Sequence, residues 1–105
     1  MLNQIVIVGR LVDRPIVEES ENGRKVCVIT LAVSRSFKNV EGEYDTDFIK
    51  CTLWRGIAES TAEYCEKGDV IGVKGRLQCL EGNSLQVVAE KVTFLSSRRK
   101  EEKND

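Results

Sequence analysis

The stretch "DFIKCTLWR", residues 47–55, decides the fold because its two alternating faces differ sharply. Successive side chains of a β-strand point to opposite sides of the sheet. One side here carries Ile49, Cys51 and Leu53, which can pack in a hydrophobic core. The other side joins two aromatic rings to a charge and a hydroxyl: Phe48, Lys50, Thr52 and Trp54. A second core face would not carry a lysine, and a plain solvent face would not carry two large aromatic rings. The stretch therefore predicts a strand with one core face and one face of another use.

Composition limits the remaining possibilities. The chain has 105 residues, 41% of them hydrophobic, which predicts a single domain with a modest core. We expect that domain over residues 1–96, followed by a charged, disordered tail over residues 97–105. The formal net charge is −1, so any surface that attracts anions must be local. The apolar start "IVIVG" is too short for a signal peptide or a membrane span.

The chemistry of the side chains argues against catalysis. The four cysteines, Cys27, Cys51, Cys65 and Cys79, form no C-x-x-C pair, so their spacing does not predict a metal or redox site. We expect them to be small buried hydrophobic residues in a reduced cytosol. The chain contains no histidine, which removes the commonest general base. We therefore expect no enzyme, no metal and no cofactor.

The order of elements predicts the fold class. Strands are expected at residues 4–12, 26–34, 47–55, 70–80 and 84–95, and a helix of about three turns is expected within residues 56–69, ending just before Gly68. A polar loop or hairpin tip with Gly42 at its turn is expected over residues 36–45, and tight turns at Asn22-Gly23 and at residues 81–83. Three strands, a helix and two more strands match the OB-fold, a five-stranded Greek-key barrel with one short helix between strands three and four. A small open β-sandwich with one helix is the alternative.

The exposed aromatic face suits a single-stranded nucleic acid. Unpaired bases stack on aromatic rings at roughly 1–3 kcal/mol each. Basic side chains gain free energy at phosphates by counterion release. Phe37 follows the second predicted strand and lies next to the loop that leads to the aromatic face of the third strand. The candidate phosphate contacts are Arg10, Arg35, Lys38, Lys50, Arg55, Lys74 and Arg76.

A structural role for the same rings is the alternative interpretation. Phe48 and Trp54 would then pack in a core or in an oligomer interface. Lys50 argues against the core, because a buried lysine needs a partner. Tyr44, in the preceding loop, fits either solvent or ligand contact.

Four segments together resemble the bacterial single-stranded DNA-binding protein (SSB) family: "NQIVIVGRLVDRP", "ITLAVSRSFKN", "DFIKCTLWRGIAESTAEYCEKGD" and "VIGVKGRLQ". The likeness runs from about residue 3 to residue 95. It implies an OB-fold, a homotetramer built from dimers, and binding of single-stranded DNA with little sequence preference. It also implies roles in DNA replication, recombination and repair, and a cytoplasmic, nucleoid-associated location. At the positions that match Phe37, Phe48 and Trp54, the family stacks bases on aromatic rings.

Two segments depart from that family. The turn "LEGNS", residues 80–84, replaces a long hairpin that usually carries further aromatic and basic residues. The end "RRKEEKND" lacks the acidic tip through which typical members recruit replication and recombination proteins, so recruitment by the tail is not expected. The chain thus resembles a short form, such as the paralogues associated with DNA uptake or mobile elements. A longer chain cut short would look the same.

Three other functions compete with this hypothesis. A primosome-type accessory protein of the same fold would use the aromatic face for a protein partner. A single-stranded RNA binder would use the same chemistry, because stacking does not depend on the 2′-hydroxyl. A nuclease is the weakest alternative, since no cluster of carboxylates falls on a predicted strand face.

Overall fold

The computed structural model describes residues 2–96, apart from the side chain of Glu81. This part of the chain forms six β-strands and one α-helix. The elements are β1 (Ile5–Leu11), β2 (Glu18–Glu19), β3 (Lys25–Lys38), β4 (Tyr44–Trp54), α1 (Arg55–Tyr64), β5 (Val70–Leu80) and β6 (Ser84–Phe94). A 3₁₀ turn, Glu81–Asn83, joins β5 to β6. The tail predicted for residues 97–105 lies outside the described residues.

The strands close into a barrel. Their order is β1-β5-β6-β4-β3, and β1 also pairs with β3, where Leu11 lies opposite Leu31. Strands β4 and β6 run parallel where Cys51 lies beside Val87, and the other pairs are antiparallel. The helix α1 lies between β4 and β5 in the chain. This arrangement confirms the predicted OB-fold and excludes the open sandwich.

Inward-facing residues of all five barrel strands form the core. Its largest fully buried side chains include Leu11, Leu31, Leu53, Ile71, Val73 and Val87. Cys27, Cys51 and Cys65 are buried among them, as predicted, and burial raises the pKa of Cys51 to about 12. Cys79 is exposed, so the prediction is wrong for this residue. It lies opposite the exposed Leu85, in the part of the β5–β6 hairpin that extends past the barrel.

Two glycines let strands cross closely. A Cβ atom on Gly9 would lie 2.9 Å from the Ala32 carbonyl oxygen, so the backbones of β1 and β3 approach closely at this position. A Cβ atom on Gly75 would collide with the Val88 carbonyl, at a bulge where the register of β5 against β6 shifts. Both positions therefore need glycine so that the barrel can close.

The helix is shorter than predicted. It ends at Tyr64, because Cys65 adopts an extended conformation and only its N–H still bonds to the Thr61 carbonyl. Residues 65–69 turn instead toward β5, and the N–H of Gly68 donates to the Leu11 carbonyl. The prediction that Gly68 directly follows the helix is wrong. Its φ of 94° belongs to the turn that enters β5.

The β3–β4 hairpin is longer than predicted. Strand β3 continues to Lys38 and β4 begins at Tyr44, so only residues 39–43 form the turn. The Asn39 side-chain oxygen accepts from the N–H groups of Glu41 and Glu43, and Gly42 has a φ of 80°. The hairpin tip with Gly42 at its turn is confirmed, but the predicted bounds of residues 36–45 are too wide at both ends. Both faces of the extension lie in solvent, so its polar sequence gives no alternating pattern.

The short strand β2 was not predicted. Glu18 and Glu19 pair with Val26 and Lys25 at the edge of β3. A turn over residues 20–24 joins the two strands, and Gly23 has a φ of 76° there. The tight turn predicted at Asn22-Gly23 is therefore confirmed. The two strand residues are both glutamates, and so short a segment has no periodicity to detect.

Candidate nucleic-acid interface

Strand β4 carries the aromatic residues of the candidate site on the outer side of the barrel. Phe48 is 66% exposed and Trp54 is half-buried. The inward residues Cys51 and Leu53 are fully buried, so the core face predicted from the sequence is confirmed at these two positions. Phe48 and Trp54 are six positions apart, which is about 20 Å along a strand. We call the outer residues Phe48, Lys50, Thr52 and Trp54 the β4 strip.

The β4 strip is not evenly exposed. Thr52 is only 4% exposed, because β6 runs beside β4 at this point and Thr52 pairs with Val88. The Thr52 hydroxyl donates to the Gln86 side-chain oxygen at 2.7 Å. The predicted open face of four residues is therefore wrong at Thr52. Gln86 was not among the predicted site residues, because no sequence pattern predicts a parallel contact between β4 and β6.

An arginine covers part of Trp54. The guanidinium carbon of Arg24 lies 5.3 Å from the centroid of the Trp54 ring, within the range of a cation–π contact. Arg24 directly precedes β3, and the pairing of Val26 with Trp54 brings it to this place. No sequence pattern points to Arg24, because it lies 30 positions before Trp54 in the chain.

Lys50 is the unpaired cation of the β4 strip. It is exposed and lies opposite Thr30 of β3. Within residues 2–96 it makes no hydrogen bond or ion pair. Its ammonium group therefore remains available for an anion beside Phe48.

The far end of the β3–β4 hairpin holds a second aromatic group. Phe37 is 82% exposed and Tyr44 is 57% exposed. Lys38 pairs with Tyr44 in the sheet, and its ammonium nitrogen lies 5.8 Å from the Tyr44 ring centroid. A register shift between Ser34 and Lys38 places Phe37 within an irregular segment of β3. Lys38 and Tyr44 thus form a contact pair near the hairpin tip, and the exposed Phe37 precedes Lys38 in the chain.

Arg35 is bound within the hairpin. Its Nε and Nη2 atoms donate to the two carboxylate oxygens of Asp47 at 3.1 and 2.9 Å, and Asp45 lies 3.8 Å from Nη1. Hydrogen bonding to Arg35 lowers the pKa of Asp47. The same bond raises the pKa of Arg35. A phosphate would therefore compete with two carboxylates for this predicted contact.

The remaining predicted phosphate contacts are spread around the barrel. Arg10 shares a row of paired residues with Ala32 and Phe48, but its Nη1 atom donates to the Gly68 carbonyl at 2.6 Å. Arg76 bonds to Glu90 at 3.3 Å and to Gln78 at 3.1 Å.

Two other predicted contacts complete the set. Arg55 is exposed and begins α1 with a φ of 53°, a conformation that non-glycine residues rarely adopt. Lys74 lies between Val6 and Lys91 on the outer side of β5, two strands from β4. The structure therefore does not bring Lys74 to the β4 strip.

A groove opens beside the β4 strip. It lies between β4 and the β5–β6 hairpin and has a volume of about 480 Å³. Phe48, Lys50, Leu85 and Gln86 line it above a floor that includes Ile7 and Leu77. The groove exists because β4 and β6 pair over only two residues of each strand and then diverge.

Comparison with known proteins gives the class of protein. Residues 2–95 match the Single-strand binding protein family. The chain belongs to this family. Its membership confirms the resemblance found in the sequence, and it confirms the predicted function class, a single-strand-binding protein.

Individual SSB relatives agree with this assignment. The chain is 42% identical to Single-stranded DNA-binding protein B of Bacillus subtilis over 100% of both chains. It is 43% identical to Single-stranded DNA-binding protein 3 of Listeria innocua, over 94% of this chain and 67% of the relative. It is 42% identical to Single-stranded DNA-binding protein A of Bacillus subtilis, over 93% of this chain and 62% of the relative.

The connection between β5 and β6 is the short one that the sequence predicts. Only the turn Glu81–Asn83 joins the two strands, with Gly82 and Asn83 at φ values of 76° and 61°. The hairpin instead exposes Leu85 beside the groove. This SSB therefore has no long aromatic hairpin at that position.

Among residues 2–96, no helix has the length and apolar character needed to cross a lipid bilayer. In the same residues, no three acidic, cysteine or histidine side chains come together as a metal site would require.

Proposed function

We propose that this chain binds single-stranded DNA with little sequence preference and coats it. Phe48 carries the proposal: in a member of the single-strand binding family, this ring is 66% exposed on a barrel strand beside the unpaired Lys50. A ring left in water beside a cation favours a ligand that is both flat and anionic. An unpaired nucleotide has both properties.

Stacking supplies the part of the affinity that tolerates sequence. Every base has a flat π-face, and stacking on an aromatic ring contributes roughly 1–3 kcal/mol per base. We assign this role to Phe48, Trp54 and Phe37. A duplex hides the faces of its bases, so the same rings discriminate against it.

Phosphate contacts supply the part of the DNA affinity that depends on salt concentration. Lys50 and Lys38 meet the backbone most directly, since neither makes an ion pair in the described residues. Arg35 and Arg76 must exchange carboxylates for phosphates, and Arg10 must leave the Gly68 carbonyl. The proposed phosphate contacts are Arg10, Arg35, Lys38, Lys50, Arg55, Lys74 and Arg76.

We also propose that the chain assembles with itself, as a tetramer built from dimers. Strand β1 exposes Val6 by 67% and Val8 by 51% on its outer side. Leu95, 53% exposed, lies near the same surface at Gly72. Apolar residues grouped in this way on a small barrel are typical of an interface. A second copy would remove them from water.

The cellular role follows from coating. A strand covered by protein is protected during replication, recombination, repair or DNA uptake, and no catalysis is required. We place this role in the cytoplasm, at the nucleoid. Proteins of replication or recombination are the expected partners besides DNA and a second copy of the chain.

Fluorescence tests the proposed function directly, because Trp54 is the only tryptophan in the chain. The protein is titrated with oligo-dT and with a duplex of equal length, at low and moderate salt. We expect quenching by oligo-dT alone, with an affinity that falls as salt rises. Binding to neither ligand would overturn the proposal and make the β4 strip a protein interface, as in a primosome-type accessory protein. A parallel titration with oligo-U compares RNA with DNA.

A further inference from the structure

The side-chain amide of Gln86 is held in one orientation. Its oxygen accepts the hydrogen bond from Thr52 at 2.7 Å, and Thr52 is nearly fully buried. Its Nε2 atom carries two N–H donors. No group in residues 2–96 accepts a hydrogen bond from that atom. The half-buried Gln86 thus has a satisfied acceptor and a free donor.

The groove beside the β4 strip places this amide next to an aromatic wall. Gln86, Phe48 and Lys50 line the same groove of about 480 Å³. Its floor is apolar and includes Ile7, Leu77 and Val87. A flat ring can therefore enter against Phe48 with its edge toward polar atoms.

The polar atoms at that edge are mostly donors. A lysine ammonium group has three N–H donors and no acceptor, and the Gln86 oxygen already accepts from Thr52 while both N–H groups of the same amide remain free within residues 2–96. Ser84 adds a hydroxyl, which can donate or accept. The matching ligand is a flat ring whose edge presents carbonyl oxygens. Thymine presents one on each side of its N3–H group, whereas adenine places an amino donor between its acceptors N1 and N7, and this donor would face the N–H donors of the groove.

We propose that this groove is a nucleobase subsite that favours carbonyl-bearing bases, thymine foremost. Gln86 donates to the base carbonyl, and Thr52 is the positioning residue that holds the Gln86 amide. The inference rests on the proposed binding of single-stranded DNA and adds a base preference to it. Phe48 provides the stacking surface, and Lys50 provides a second donor.

Oligo-dT and its isostere test the subsite. The isostere carries difluorotoluene in place of thymine, which keeps the shape of the ring but removes both carbonyl oxygens. Affinities for the two oligonucleotides are compared at one salt concentration for the wild type, Gln86→Met, Thr52→Val and Thr52→Ser. Gln78→Met is the matched control, since Gln78 lies opposite Gln86 on β5 but already accepts from Arg76 and does not line the groove.

We expect the wild type to prefer oligo-dT over the isostere by roughly two- to tenfold, the value of one net hydrogen bond. Gln86→Met should remove that preference, and Thr52→Val should reduce it. Thr52→Ser should restore it, and Gln78→Met should keep it. A thermal melt of each variant checks that the fold is intact.

Three outcomes would overturn the inference. In the first, the wild type binds oligo-dT and the isostere equally well, which leaves the proposed DNA binding intact but removes the subsite. In the second, Gln86→Met and Gln78→Met change the preference equally. In the third, the wild type binds neither oligonucleotide, and the proposed function fails together with the subsite.

Discussion

Arg24 lies over Trp54, with its guanidinium carbon 5.3 Å from the ring centroid, so the free protein already has a cation on one of its proposed stacking surfaces. Such a contact contributes about 0.5–1 kcal/mol at an exposed site. A base that stacks on Trp54 must share the ring with this guanidinium or displace it. In either case Arg24 is close enough to the incoming strand to meet a phosphate.

Arg24→Ala should therefore weaken the binding of oligo-dT and lower the slope of log K against log salt by about one. The measurement is a titration at several salt concentrations. Lys25→Ala is the matched control, because it removes the same charge from the next residue, which pairs with Glu19 at 3.1 Å. Equal slopes for the two variants would mean that Arg24 acts only through net charge.

Phe48→Ala and Trp54→Ala should each weaken binding by about 1–3 kcal/mol and leave the salt slope unchanged, since each removes a stacking surface and no charge. Anisotropy of a labelled oligo-dT measures both variants, including the one without tryptophan. Tyr64→Ala is the control, an exposed ring on α1 that packs near Phe94 instead. Intact affinity together with a dissociated oligomer would show that the β4 strip is a protein interface.

Gly75→Ala should destabilise the fold by about 1–3 kcal/mol, because the added methyl group has no room beside the Val88 carbonyl. Gly72→Ala is a matched change on the same strand, where the nearest atom to an added Cβ lies 3.8 Å away. Urea denaturation of both variants measures the difference. If the two midpoints fall equally, the bulge at Gly75 tolerates a side chain.

The ion pair of Arg35 with Asp47 should be visible in an acid titration. Because hydrogen bonding to Arg35 lowers the pKa of Asp47, NMR should find that pKa below the usual value of about 3.9. The Arg35–Asp47 ion pair therefore contributes fully to the stability of the fold at pH values above the usual pKa of about 3.9. This contribution is lost as the pH falls through the lower pKa that Asp47 has in the folded protein. Arg35→Gln should return the Asp47 pKa toward its usual value, whereas Arg24→Gln should leave it in place. An unchanged pKa in Arg35→Gln would contradict the pairing.

Val8→Asp should dissociate the proposed oligomer, because it places a charge where a second copy would cover apolar surface. Sedimentation velocity of the variant and the wild type gives the result. Ile16→Asp introduces the same charge at another residue that is 64% exposed and should keep the wild-type assembly. A monomeric wild type, or an unchanged Val8→Asp, would remove β1 as the interface.

The elements that could be predicted are those with one face in the core. Cys51 and Leu53 lie in the core while Lys50 and Trp54 lie on the outer side, so the sequence itself predicts β4 and which of its faces packs in the core. The same reasoning predicts β5, where Ile71 and Val73 share one buried face, whereas β1 is predicted from a run that is apolar on both faces. The barrel then follows from the order of the elements.

The parts of the site that could not be predicted depend on register. Arg24 reaches Trp54 only because Val26 pairs with Trp54, and Thr52 is covered only because β6 lies beside it. No local pattern in a sequence states which residues of distant strands become neighbours. The outer half of the β3–β4 hairpin was missed for another reason, since a strand with solvent on both faces has no hydrophobic period.

Strand β4 also fixes the distance between two aromatic residues. Tyr44 and Trp54 lie ten positions apart on one extended strand, a distance of about 33 Å. A single strand that keeps its bases stacked, at about 3.4 Å per nucleotide, needs roughly ten nucleotides to reach from one ring to the other. If an unpaired strand binds along β4 as proposed, a more extended strand would span the same distance with fewer nucleotides. The length of β4 therefore sets the number of stacked nucleotides that one chain could cover between these two rings.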